Sequence, residues 1–390
     1  MKEHNIMNQN KTGTQHNYTA LDLFCGCGGM SWGLQKKGFK VLAGFDTWEI
    51  ALKTYQHNHQ DAKIYNVDLS ETDPHKIMQD LNLQQGELDV ITGGPPCQGF
   101  SKNVPASWRF LEDKRNQLYK AYLNFVDAFR PKVVIIENVA EIYNAFNGIV
   151  RDEILTTLAN WGYKTTVKIV KMPTYGIPQA RRRCFFFATN TGVRPKFPQE
   201  ISAEVSAWDA ISDLPVVLTG ETATTYDTVP QNAYQKHMRR DICDNELHNH
   251  VAKKLSPIQQ ARISSIKAGQ ALRDMPPELQ VKGGYSGAYG RLDYTGVAPT
   301  ITRWVFHPGS GRYSHPREPR VITIREAARI QAFSDDFEFL GSYTEQAGQI
   351  GNAVPALFME LMADSIIDCL QCVEREDQQP DLWEYAQEQC

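Results

Sequence analysis

Two prolines stand directly in front of a cysteine in the segment Gly93-Gly94-Pro95-Pro96-Cys97-Gln98-Gly99-Phe100-Ser101. Proline fixes its own φ and restricts the residue before it, so the backbone that delivers Cys97 is stiff, while the glycines and serine beyond it predict a mobile loop. A rigid base with a flexible continuation suits a positioned thiolate nucleophile. The alternative is a buried, inert cysteine, the usual condition of a free thiol.

Three further segments carry chemistry. Glu137-Asn138-Val139 follows four β-branched residues, Val133 to Ile136, so Glu137 is expected half-buried and able to hold or donate a proton. A charge at a helix start is its plainer reading. In Gln179-Ala180-Arg181-Arg182-Arg183, the arginines at 181 and 183 alternate ahead of a strand and can point two guanidinium groups into one pocket, or else form a solvated or phosphate-facing turn. The glycine-rich run Phe24-Cys25-Gly26-Cys27-Gly28-Gly29 allows close backbone approach to a ligand, and Asp46, twenty positions after Gly26, is placed to accept both hydroxyls of a ribose. Asp68 ends a further strand. This set points to a nucleoside cofactor and leaves a dinucleotide and S-adenosylmethionine both open.

The elements that must position these residues are legible as an alternation of short apolar runs with helical patterns. Strands are predicted at Ala20 to Phe24, Val41 to Phe45, Ile64 to Val67, Leu88 to Ile91 and Val133 to Ile136, with two more at Tyr163 to Val170 and Cys184 to Thr189. Helices are predicted at Met30 to Lys37, Thr47 to His57, Pro74 to Leu81 and Arg115 to Phe129. The expected fold is α/β, a doubly wound, mostly parallel Rossmann-like sheet, in which ligands bind beyond the carboxyl ends of the strands. From about Arg194 to Pro319 the alternation stops, which predicts a second, smaller and irregular domain. Helical pattern returns from Ile322, and Pro355 to Val373 reads as a last amphipathic helix after a Gly-Asn turn. The expected organisation is a disordered tail over 1–17, a discontinuous catalytic domain over 18–193 and 320–373, the irregular domain over 194–319, and a frayed acidic tail over 374–390.

Composition is that of a globular chain: 390 residues, 42% hydrophobic and 22% charged. This excludes a chain that is mainly disordered, and no apolar run approaches the roughly 20 residues that span a membrane. The opening residues are polar and predict no secretory leader. Eight scattered cysteines make no disulfide framework and fit a reducing cytoplasm. Cys369 and Cys372 form a C-x-x-C without a second pair, so no metal site is expected. The net charge of −4 conceals a basic block, residues 251–330, with 13 Lys and Arg against 5 Asp and Glu. Clustered positive charge is a candidate polyanion surface, and an ordinary solvated surface is the alternative.

Taken together, these segments resemble the DNA (cytosine-5) methyltransferase family, with its motifs in the usual order. The glycine loop matches at Asp22 to Gly26, the nucleophile motif at Pro95-Pro96-Cys97-Gln98, the ENV motif at Glu137 to Val139, and the Q-x-R-x-R motif at Gln179, Arg181 and Arg183. Arg320 to Phe333 resembles the late helix motif, and Gln349-Ile350-Gly351-Asn352-Ala353-Val354-Pro355 the last motif, so the resemblance covers residues 18 to about 370. One departure is Asp46, a shorter acid than the glutamate often found there.

The resemblance implies a prokaryotic or phage enzyme that uses S-adenosylmethionine, bound through Phe24, Gly26, Cys27, Gly28, Gly29, Asp46, Thr47, Asp68, Leu69, Pro95, Asn352 and Ala353. Cys97 would add to C6 of a flipped cytosine, Glu137 would hold N3 and the amino group, and Arg181 and Arg183 would flank the base, Arg183 contacting O2. Contacts to double-stranded DNA are expected from Ser101, Tyr285, Tyr289, Arg291 and Arg303, with recognition in the irregular domain. A cytoplasmic monomer, nucleoid-associated when bound to DNA and accompanied by a cognate restriction endonuclease, is the expected setting. The alternatives are an RNA (tRNA) cytosine-5 methyltransferase, a catalytically inactive DNA-binding relative, and a nicotinamide-dependent dehydrogenase that would leave the Pro-Pro-Cys and late motifs unexplained.

Overall fold

The computed structural model describes residues 17–96, 118–201, 204–283 and 285–377, so Cys97 and Ser101 lie outside the described residues. The apolar runs become strands, and the helical patterns become the crossovers between them. β1 (Thr19–Leu23) leads through α1 (Gly29–Gln35) to β2 (Lys40–Asp46), then α2 (Glu49–Asn58) to β3 (Lys63–Asn66). α3 (Pro74–Asp80) starts where Asp73 caps the backbone and Pro74 takes the first helical position, and leads to β4 (Val90–Gly93). α4 (Leu118–Phe129) precedes β5 (Val133–Val139), and α5 (Ile149–Asn160) precedes the hairpin of β6 (Lys164–Lys171) and β7 (Arg182–Thr189).

Among the described residues the seven strands form one sheet in the order β3-β2-β1-β4-β5-β7-β6. The first five are parallel, and β7 runs antiparallel to both β5 and β6. Strand order reverses beside β1, which lies between β2 and β4, so the crevice for a ligand opens there. Register aligns what borders it: Leu23 pairs with Phe45 and with Gly93, and Gly93 with Ile136. The residues that follow, Phe24, Asp46, Gly94 and Glu137, therefore share one edge of the sheet.

Alternation along the strands divides the core. Leu21, Leu23, Phe45, Ile91, Val134, Ile136 and Phe186 bury one face with α4 and α5; Ala20, Val41, Val90, Val133, Ile135, Phe185 and Phe187 bury the other with α1 and α11. Sequence periodicity left α5 unassigned because its buried stripe is one residue wide, Val150, Ile154 and Leu158.

Beyond β7 come three short helices, α6 (Ala207–Ile211), α7 (Ala233–Met238) and α8 (Pro257–Ser264), each capped by a side chain, from Ser206, Asn232 and Ser256. Then follow α9 (Ile324–Ile330), α10 (Tyr343–Asn352) and α11 (Ala356–Asp377). Two expectations need correction. Gly351 and Asn352 are the last residues of α10, not a free turn, because Ser342 and Glu345 form a capping box that starts a helix there. The last helix continues to Asp377, past the expected fraying at 374, through the helix-favouring Glu-Arg-Glu.

Residues 194–319 do not pack as a single body. Ala207, Ile211, Tyr226, Tyr234, Met238 and Leu247 join the same core as the sheet, whereas Leu255, Ile263, Ile266, Leu272, Met275, Ala288, Tyr289 and Val321 form a small cluster of their own. The join to the sheet domain is ionic as well as apolar. Arg329 on α9 donates to both oxygens of Asp335 (2.6 and 2.7 Å) and to Asp213 (2.9 Å), all fully buried. Arg320 and Glu326 make a buried two-pronged pair at 2.8 Å. Arg291, Arg320, Arg325 and Arg329 are thus interior, and four of the thirteen cations of the basic block are withdrawn from the surface. Among the described residues no helix is long and apolar enough to cross a membrane.

Candidate active site

One cavity of about 580 Å3 opens at the β1/β4 crevice, within the roughly 300–1,000 Å3 of small-molecule sites. Its walls come from distant parts of the chain: the loop after β1 (Asp22 to Met30), the end of β2 (Asp46 to Trp48), the stretch after β4 (Gly94 to Pro96), the end of β5 (Glu137 to Val139), Arg181 and Arg183, and residues 349–354.

The loop after β1 turns through left-handed backbone at Phe24 (φ 56°), Gly26 (φ 54°) and Gly28 (φ 98°). A side chain on Gly28 would be strained and would also collide with His59. Asp46 clamps this loop. Its Oδ2 accepts from Gly26 N–H at 2.8 Å, and its Oδ1 from Thr47 N–H (2.8 Å) and Trp48 N–H (2.9 Å). Three of about four acceptor positions on the carboxylate are thus filled, and Oδ2 keeps one for a ligand hydroxyl. The expectation that Asp46 takes both ribose hydroxyls is therefore corrected to one. Asp22 lines the cavity from beneath, with Ser31 donating at 2.7 Å and Thr92 at 3.3 Å. Burial pushes its carboxyl up to about 7 against the lowering effect of those hydrogen bonds.

Cys25 and Cys27 also line the cavity, and burial raises both thiols well above the usual range. Their Sγ–H groups lie toward the carbonyls of Gly26 and Gln349. Neither has the electropositive surroundings that make a cysteine nucleophilic.

On the other side, Asn138 Nδ2 donates to the Pro95 carbonyl (3.0 Å), tying the chain that leads to Cys97 onto β5. Glu137 is 9% exposed, and its Oε1 pairs with Arg183 Nε at 2.9 Å. Oε2 faces Gly94, where a Cβ would sit 3.0 Å away. Arg183 reaches Glu137 because β7 runs antiparallel to β5, setting Arg183 opposite Val139. Arg181 is placed differently from expectation. Its guanidinium is buried and donates to the carbonyls of Ile301 (3.3 Å), Gly351 (3.2 Å) and Ala353 (3.0 Å), so it braces the cavity wall that it also lines.

Phe24, Gly26, Cys27, Gly29, Asp46, Thr47, Pro95, Asn352 and Ala353 all line the cavity, whereas Gly28, Asp68 and Leu69 do not. Asp68 follows β3, two strands from the crevice, and accepts from Ser70 N–H and Oγ–H; Leu69 is core. Tyr289 and Arg291 turn inward, which corrects their reading as groove contacts. The Tyr289 hydroxyl accepts from Arg262 (3.1 Å), and Arg291 donates to the carbonyls of His315 and Ile266. Tyr285 and Arg303 are exposed. Trp48 was missed by sequence reasoning, although it stands two residues past the strand-end carboxylate, and Asn138 and Gln349 stood in their motifs without an assigned role. Among the described residues no cluster of three metal-ligating side chains occurs.

Fold and cavity together define a doubly wound protein whose crevice suits a nucleoside cofactor. The chain belongs to the C-5 cytosine-specific DNA methylase family, whose profile matches residues 18–368. It is 31% identical to the Type II methyltransferase M.AgeI of Thalassovita gelatinovora, over 89% of this chain and 98% of that one. With the Type II methyltransferase M.DdeI of Desulfomicrobium norvegicum it shares 33% identity, over 89% and 88%. Among solved structures, an E. coli prophage-encoded protein assigned as a DNA modification methyltransferase superposes with a TM-score of 0.75 at 25% identity, covering 91% of this chain and all of that one. The protein is a DNA (cytosine-5) methyltransferase, and family and fold imply S-adenosylmethionine as its cofactor.

Proposed function

We propose that the protein methylates C5 of a cytosine turned out of duplex DNA, through a covalent bond to Cys97. The observation that supports this most directly is the Glu137–Arg183 pair, which stands in the same cavity as the glycine loop and the stretch after β4 that runs to Pro96. Cytosine C5 is a weak nucleophile. Addition of the Cys97 thiolate to C6 pushes ring electrons toward C5, and Glu137 stabilises the resulting ring through N3 and the amino group while Arg183 donates to O2. S-adenosylmethionine supplies an electrophilic methyl group. Once C5 carries it, loss of the C5 proton expels the thiol and restores the aromatic ring. The ring face is closed inside a duplex, so the base must leave the stack first. Burial raises the thiols of Cys25 and Cys27, so neither of these cavity cysteines is a ready nucleophile.

The cofactor fits the donor set: Asp46 Oδ2 for one ribose hydroxyl, the backbone of the Phe24 to Gly29 loop and Pro95, and Asn352 and Ala353 from the far wall. Target recognition is assigned to the span 194–319, and within it chiefly to residues 255–289, which form their own small core. The similarity to Type II methyltransferases supports a modification role beside a restriction endonuclease of the same site; action as a monomer on DNA in the cytoplasm is part of the same proposal. A duplex carrying 5-fluorocytosine at the mapped target tests the chemistry, because fluorine cannot leave as the proton does. Wild-type protein should be trapped as a covalent adduct and Cys97→Ala should not; equal trapping would overturn the assignment.

A further inference from the structure

Trp304 is 53% exposed, yet its backbone is held in place. Its N–H donates to Thr302 Oγ1 (3.3 Å), and its carbonyl accepts from Ser310 Oγ–H (2.6 Å) and His307 N–H (2.9 Å). The segment behind it is the cavity wall. Arg181 donates to Ile301, and the backbone of Thr302 and Arg303 lies so close to Gly351 that a Cβ there would collide with it. Gly351 and Arg181 both line the cavity. Glycine at 351 therefore lets the Trp304 loop press directly against the rim of the base pocket.

The surroundings are cationic and aromatic. The Arg303 guanidinium lies over the Trp304 ring at 5.0 Å, Phe306 follows at 6.0 Å, and Lys253 lies over Phe306 at 4.4 Å. Tyr313 steadies the same segment by donating to the Thr300 carbonyl at 2.9 Å. A large aromatic face, immobilised in solvent and flanked by cations, suits a nucleobase, because every base offers a π-face and every phosphate a charge.

We infer that Trp304 is a stacking platform for a nucleobase next to the extruded cytosine, with Arg303 and Lys253 holding the neighbouring phosphates. The inference rests on the base-flipping reading and adds a contact outside the catalytic pocket. To test it, 5-iodouracil is placed at one position at a time around the mapped target in a duplex, the complex is irradiated, and the cross-linked peptide is sequenced. Cross-linking to Trp304 from one or two positions is expected. Trp304→Ala should bind the duplex roughly ten- to a hundred-fold more weakly, with Trp304→Phe recovering most of the loss and cofactor affinity unchanged in both. If wild-type protein methylates the duplex but no position cross-links to Trp304 and Trp304→Ala binds DNA normally, Trp304 is an ordinary surface residue and the inference is wrong. If wild-type protein methylates no duplex at all, the functional reading falls and this one with it.

Discussion

Replacing Asp46 probes the cofactor site most directly, because its hydrogen bonds can be counted. Its carboxylate holds three backbone N–H groups, from Gly26, Thr47 and Trp48, and has one acceptor position left on Oδ2. A single hydroxyl bonded to a charged acceptor contributes about 1.5–3 kcal/mol, which is roughly ten- to 150-fold in affinity. Asp46→Ala removes that contact and frees three N–H groups that water can reach at this half-exposed rim, so the loss should fall in the same range with little change in folding. Asp46→Asn is more discriminating. Its carbonyl can keep Thr47 and Trp48, but its amide then points N–H at the Gly26 N–H, so both the loop clamp and the free acceptor are lost. The asparagine variant should therefore bind S-adenosylhomocysteine nearly as poorly as the alanine variant, despite its matching size. Titration calorimetry on the three proteins decides the matter, and wild-type affinity in Asp46→Asn would refute the acceptor argument.

The remaining predictions follow from buried charge and from packing. Burial raises the Asp22 carboxyl from 3.8 to about 7, so its contribution is fully favourable below pH 4 and is lost as pH rises through 7, an effect of about 4 kcal/mol at most. Relative to wild type, Asp22→Asn should therefore gain stability in urea melts between pH 5 and pH 8; a difference that does not change with pH would show the carboxyl titrates normally. Arg329→Met removes the cation that joins Asp213 and Asp335, leaving Asp213 with Arg239 at 3.3 Å and Asp335 with Tyr226 and the more distant Arg325 at 3.8 Å, and should destabilise the fold by about 3–5 kcal/mol, with recovery when both acids become asparagine. An unchanged urea midpoint in Arg329→Met would mean the network is not energetically coupled. Exchanging residues 255–289 for those of a relative with another specificity should move methylation to the other site, because the exchange spares Asp213, Tyr226 and the cavity wall at Ile301; an active chimera that keeps the original site would place recognition elsewhere.

Strand ends were the legible part of the site. Glu137, Asp46 and Gly94 could be placed because β-branched runs mark where parallel strands stop, and register then brings the following residues to one edge. Arg183 follows from the same logic on β7. The direction in which a side chain points from an irregular segment is another matter. Tyr289 and Arg291 occupy a glycine-rich stretch that reads as an open loop, but both face inward because Arg262 and the carbonyls of Ile266 and His315 lie there, and those partners have no local sequence signal. The late helix is the same case: α9 carries two arginines and a glutamate yet is buried on every side, because its charges meet Asp213, Arg320 and Asp335. α10 lacks a broad apolar stripe, and only the Ser342–Glu345 box announces it.

Arg181 joins these parts into one device. A buried guanidinium with no carboxylate in contact must place its N–H groups on carbonyls, and the three that Arg181 uses come from two parts of the chain: Ile301 leads to Trp304, while Gly351 and Ala353 stand at the end of α10 and line the cofactor cavity. Burial, and then the neighbouring Arg183 charge, hold its pKa well below the ordinary arginine value, so the brace is costly to keep assembled without all three partners. A cofactor that touches Asn352 and Ala353 stabilises the turn after α10, and with it the carbonyls that Arg181 needs. A nucleic acid resting on the Trp304 loop acts on the same strut from the opposite side. Each ligand then favours the arrangement the other requires, and since coupling between two sites is reciprocal, cofactor should tighten DNA binding by the same factor as DNA tightens the cofactor.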